Sequence, residues 1–207
     1  MKGLIKKDFL ILKRSSKMIL FLLVIYFICS IDANGMESSI LPFMMAVLCN
    51  STFSYDEYNK WDPYAMTLPG KKNTVIAAKY AMTLVVMMIA FVFTVVISYI
   101  MGIVRGDYSL GISFQDGLLG VSLGILAIAI IFPLIIKFGL EKGRIAIMIG
   151  SIGLAAFFMI VGSIIEVPKN VAGFLEVYLV YLLPLLAMTL LIGSYFLSTK
   201  IYSKKEF

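Results

Sequence analysis

One passage, YDEYNKWDPYAMTLPGKKNT at 55–74, gathers acids, aromatics and lysines densely enough to do chemistry or hold a partner. Its carboxylates, Asp56, Glu57 and Asp62, have no imidazole to work with, because the chain contains no histidine. That absence removes imidazole metal sites, Ser-His and Cys-His nucleophile pairs and histidine proton shuttles. Intramembrane zinc proteases and rhomboid-type serine proteases go with them. A carboxylate pair is the acid–base device left. The twelve acids, however, lie outside the centres of the long apolar runs, and nothing resembles an intramembrane aspartyl dyad. The nearest phosphate-binding string, Pro69-Gly70-Lys71-Lys72, does not match GxxxxGK[ST], so the chain does not hydrolyse ATP through a P-loop of its own. Cys29 and Cys49 belong to different runs at different depths and read as free packing residues. No catalytic residue and no metal site emerges.

The elements that position this passage are apolar runs. At 61% hydrophobic and 14% charged, the 207 residues do not fit a soluble domain, which carries about 25% charged residues. The runs cover roughly 17–31, 39–55, 75–104, 118–138, 145–165 and 175–198, each close to the ~20 residues that cross ~30 Å of hydrocarbon. Six transmembrane helices are expected. Lys2, Lys6, Lys7, Lys13, Arg14 and Lys17 precede the first. Lys60, Lys71, Lys72 and Lys79 lie between the second and third or just inside the third. Lys137, Lys142 and Arg144 join the fourth to the fifth, and Lys200, Lys204 and Lys205 follow the sixth. The other three connections hold only Arg105 and Lys169. Under the positive-inside rule both termini and the loops at 56–74 and 137–144 are cytoplasmic. The net charge of +6 is then a collar facing anionic head groups and calls for no nucleic acid.

Residues 1–14, MKGLIKKDFLILKR, read as an amphipathic surface helix, with Leu4, Ile5, Phe9 and Leu12 on its apolar side. A short helix is expected at 56–66, bounded by Pro69-Gly70 and projecting Tyr58, Trp61 and Tyr64. Trp61 supports two readings, an interfacial anchor or a docking knob of the kind that dominates protein–protein contacts. Lys79 is expected to snorkel to the head groups. Gly117, Gly120 and Gly124 in the fourth run favour close packing within the bundle over self-association. Pro133 and Pro184 each delete a backbone hydrogen bond within a span.

All six span centres lack Asp, Glu, Lys and Arg, the groups that proton relays, pumps and voltage sensors require. If the chain moves anything against a gradient, another polypeptide supplies the energy. An apolar interior suits hydrophobic or amphipathic cargo.

MKGLIKKDFLILKR, YDEYNKWDPYAMTLPGKKNTVIAAKY, IFPLIIKFGLEKGR and STKIYSKKEF together resemble bacterial ABC-2 type transporter permeases. The similarity runs through the chain in order and length, and includes the small six-span subunits of phenol-soluble modulin exporters. The resemblance implies an all-α integral membrane protein of the ABC-2 exporter fold in a bacterial plasma membrane. It also implies a second permease copy, identical or related, and a separate cytoplasmic ATPase that binds ATP and magnesium. Residues 1–14 would be the elbow helix. The 56–70 loop, through Asp56, Glu57, Tyr58, Asn59, Trp61, Asp62 and Tyr64, would be the coupling helix seated on the ATPase. Lys137, Glu141, Lys142 and Arg144 would form a second cytoplasmic contact. The resemblance thus favours docking for Trp61, and implies a permease that supplies gating geometry and no bond chemistry.

Two further classes compete with this one. A vitamin-capturing subunit of an energy-coupling importer has similar length, but needs an outer polar pocket and small-residue docking motifs. A non-transporting membrane scaffold would form no stable complex with an ATPase.

Overall fold

The computed structural model describes residues 2–14, 17, 19–21, 23, 24, 26, 40–67, 72–105, 110–140, 142, 143, 145 and 169–204. Every regular element among them is helical: α1 (Lys2–Arg14), α2 (Ile40–Cys49), α3 (Ser51–Tyr58), α4 (Trp61–Thr67), α5 (Lys72–Arg105), α6 (Leu110–Phe138) and α7 (Lys169–Ser203). The described residues from Lys17 to Tyr26 are helical as well. Most of the fifth run, Cys29, Pro69-Gly70, Glu141 and Arg144 lie outside the described residues.

Three helices have the length and apolarity to cross a membrane, over Asn73–Val104, Ser113–Phe138 and Val180–Ser203. They match the third, fourth and sixth expected runs. Unpaired backbone in hydrocarbon is too costly for anything but a helix or a closed barrel, so these runs are helical throughout. The middle one is the hub. It is 61% buried against 22% and 17% for the other two, and α2, α5 and α7 all pack on it. The glycines explain this: a Cβ on Gly117 would meet Val95 Cγ2 at 2.8 Å, and one on Gly124 would lie 3.1 Å from the Pro42 carbonyl oxygen. Small residues here serve contact with α2 and α5 inside the bundle. Outward, α7 exposes Tyr181, Leu182, Leu185, Met188, Ile192 and Phe196, a continuous apolar surface.

The second run is not one span-long helix. α2 stops at Cys49, and the chain tightens at Asn50, whose N–H bonds the Val47 carbonyl at 3.1 Å in an i→i−3 turn. Thr52 Oγ1 takes up the Cys49 carbonyl at 2.9 Å. The single helix expected at 56–66 is likewise divided. α3 ends at Tyr58, and α4 starts afresh at Trp61. Asn59 stops α3 by turning both its N–H (3.1 Å) and its side-chain Nδ2 (2.7 Å) on the Tyr55 carbonyl. Lys60 then adopts φ +48°, a conformation that ends a helix. The two short helices make a corner.

Candidate functional site

The site forms at one end of the bundle, where α1, the α3–α4 corner, the start of α5 and the ends of α6 and α7 converge. These are the segments richest in lysine. Phe53, Asp56, Glu57, Lys79, Ile135 and Tyr202 are among the residues around a cavity of about 230 Å³ there.

Asp56 is its charge centre. The side chain is buried, with Lys7 Nζ at 2.6 Å from Oδ1 and Lys79 Nζ at 2.6 Å from Oδ2. One carboxylate therefore joins α1, α3 and α5. Lys79 does not snorkel: it is 5% exposed, tied to Asp56, with its ammonium 4.2 Å from the centre of the Phe53 ring. A buried ammonium needs a carboxylate, and this one has it within hydrogen-bond reach, so the head groups offer it nothing more. Lys7 also lies 4.2 Å over the Trp61 ring. This holds the indole inward, half-buried against the core.

α1 turns a different face to the protein from the one its apolar residues suggest. Asp8 and Leu12 are buried and Leu4 packs on the core, whereas Phe9 is 51% exposed. The spacing i, i+4, i+8 puts Leu4, Asp8 and Leu12 in one row.

Glu57 links the two loops. Its Oε2 accepts the Leu140 N–H at 2.9 Å, just past the end of α6. Gly139, at φ +78°, closes α6 by bonding the Ile135 carbonyl at 2.9 Å, a left-handed C-terminal stop. Leu140, Lys142, Gly143 and Ile145 are helical again. A carboxylate at the start of that helix is favourably placed in its dipole. Lys137 and Lys142 are exposed, the former with its ammonium 4.9 Å from the Phe138 ring centre.

The structure therefore sorts the candidate docking residues into two edges. Asp56 and Trp61 face inward, and Glu57 reaches across to the other loop. Tyr58 (87% exposed), Asn59 and Tyr64 (56% exposed) face out; Asp62 lies within α4.

Sequence reasoning missed several residues that tie this end to the spans. Phe53 packs edge-on to Phe132 (4.8 Å), Phe132 to Tyr80 (5.2 Å) and Tyr80 to Tyr195 (5.5 Å), an aromatic chain from α3 through α6 and α5 to α7. The Tyr80 hydroxyl lies 2.7 Å from Ser194 Oγ and 2.8 Å from Ser198 Oγ, fastening α5 to α7. The i, i+4 spacing of Ser194 and Ser198 was the available signal, since it puts both on one helix face. Among the described residues, no three His, Cys, Asp or Glu side chains come together to hold a metal ion.

Long apolar helices around a glycine-lined hub, with most of the lysine and arginine gathered at one end, define a multi-pass helical membrane protein. A family model described as ABC-2 family transporter protein matches residues 3–203, and the chain belongs to that family. It is accordingly a membrane subunit of an ABC transporter and not the transporter's catalytic ATPase. No curated protein and no solved structure matches it.

Proposed function

We propose that this chain is the permease of a bacterial ABC exporter, paired with a second identical or related permease and driven by a separate cytoplasmic ATPase. Its cargo is hydrophobic or amphipathic, and cytolytic or antimicrobial peptides suit an apolar bundle without charged span centres. The outer edge of the α3–α4 corner seats on the ATPase through Tyr58, Asn59 and Tyr64. Both termini lie in the cytoplasm, the orientation that the distribution of lysine and arginine favours.

One observation carries this reading: a compact two-helix corner presents exposed tyrosines outward while Asp56 on its inner edge is bonded to α1 and α5 and Glu57 to the turn after α6. Such a corner turns pressure at the surface into displacement of α1, α5 and α6, because none of the joined elements can yield alone. Rigid-body motion of packed helices is a recurrent gating device. Exposed tyrosine offers large contact area with little rotamer entropy to lose, which suits a protein contact.

The experiment is purification in mild detergent, with identification of the co-eluting ATPase. Tyr58→Ala combined with Tyr64→Ala should insert into the membrane normally and retain little ATPase. Full retention by the double variant removes the docking assignment. Cysteines at Asn34 and Asn170 should react with impermeant reagents in intact cells and one at Asn73 should not; the opposite pattern reverses the orientation.

A further inference from the structure

Four ionisable groups meet where α1, α3 and α5 touch, and they are unequally satisfied. Asp56 has both ammoniums, Lys7 and Lys79, each at 2.6 Å. Asp8 is 2% exposed, yet its Oδ1 has no hydrogen-bond partner. The same two cations stand near that atom, Lys7 Nζ at 3.2 Å and Lys79 Nζ at 3.9 Å. Asp8 Oδ1 is thus held by two looser ion pairs with no well-formed hydrogen bond, a weaker arrangement than a buried carboxylate ordinarily has.

We propose that Asp8 is the second seat of a two-position charge exchange: Lys79 bonds Asp56 in the arrangement seen here and passes to Asp8 when the α3–α4 corner is displaced. Asp8, Asp56 and Lys79 are then positioning residues that give the elbow end of the bundle two discrete states. The proposal rests on the docking reading, since the ATPase supplies the displacement.

Geometry and charge both support the exchange. Helices packed against one another commonly shift by ~1–2 Å in switching proteins, and a shift of that size covers the difference between the two Lys79 distances. The two cations and two anions cancel in either pairing, so no net charge is left buried in either state. Lys79 is almost fully enclosed and cannot leave for water instead. The Phe53 ring, 4.2 Å from its ammonium, keeps the cation solvated by a π face beside the path. A lysine suits the role, because its ammonium is a point charge on a flexible stem, whereas an arginine fork would grip both carboxylates together.

The test uses the permease–ATPase complex reconstituted in lipid vesicles, reading bound ATPase and its rate of ATP hydrolysis relative to the free ATPase. Asp8→Asn removes the charge of the second seat with little change of shape. Lys79→Arg keeps every charge and spans both seats at once, which protects against a simple folding failure. Both should hold ATPase at the native ratio, while the effect of docking on hydrolysis falls by at least about fivefold, the lower range of allosteric couplings. Asp8→Glu should restore it. A native docking effect in both variants overturns the exchange, as does loss of ATPase binding in both. A native chain that retains no ATPase sinks the docking reading first, and this proposal with it.

Discussion

The two edges of the α3–α4 corner come from the same stretch of ten residues and live in opposite environments. On the inner edge, Asp56 holds two ammoniums and Trp61 lies under one of them. On the outer edge, Tyr58 and Tyr64 stand largely in solvent. The inner residues spend their charge and aromatic area on the fold, whereas Tyr58 stands almost wholly in solvent and Tyr64, though 56% exposed, leans on the Trp61 ring at 5.1 Å between centroids. Acidic and aromatic residues in a loop are therefore not interchangeable evidence of docking. Which edge each occupies decides its role.

Substitutions should separate the edges by size of effect. Asp56→Ala leaves two ammoniums, Lys7 and Lys79, with the single carboxylate of Asp8 between them, and breaking a buried pair in this way costs about 3–5 kcal/mol. The purified protein should show a large fall in unfolding midpoint and poor membrane yield; native stability would mean that the inner edge is not bonded as described. Trp61→Ala loses half-buried packing and a cation–π contact, for a loss of about 2 kcal/mol. Trp61→Phe should recover most of it, because the indole N–H has no hydrogen-bond partner to lose.

Glu57→Ala should cost about 1 kcal/mol, the net worth of one hydrogen bond whose charge is screened by solvent at an exposed side chain. Its signature is local: faster amide hydrogen exchange at Leu140 and its neighbours, with the rest of the fold unchanged. Tyr64→Ala should cost at most about 1 kcal/mol through its ring contact with Trp61, and least of all, Tyr58→Ala should change stability by under ~0.5 kcal/mol, as surface substitutions do. Their effect belongs to the partner, where truncating a docking aromatic weakens affinity about tenfold or more. A stability loss in these variants matching that of Asp56→Ala would erase the distinction between the edges.

Much of the bundle was legible beforehand. The third, fourth and sixth runs appear as α5, α6 and α7, and the N-terminal segment as α1. Hydropathy and backbone satisfaction act on each segment separately, so run length suffices. Boundaries were less legible: α6 starts at Leu110, several residues before the apolar run, because a helix continues past the hydrocarbon while its backbone bonds remain favourable. The break at Asn50 and the turn at Asn59–Lys60 were missed for a related reason. Each depends on where a polar side chain finds a carbonyl, as Asn59 does on Tyr55.

The site was half legible. The passage at 55–64 does carry Asp56, the centre of the buried charge cluster, but the sequence pattern reveals neither Lys79 nor Asp8 as members of it. A lysine near the end of a span snorkels when water or phosphate is its best partner. Lys79 has a better one, supplied by a carboxylate 23 positions earlier. Asp8 lay unnoticed in a row with Leu4 and Leu12, since a lone acid in an amphipathic helix is ordinarily placed on the wet side.

By itself, the order of residues determined that this chain is helical, apolar over several membrane-length stretches, and positively charged mainly in alternate connections, because those properties follow from neighbours along the backbone. Only the folded arrangement decided which charges meet. Lys7 and Asp56 are separated by 49 positions, and their contact depends on the angle at which two helices cross, which no local pattern encodes.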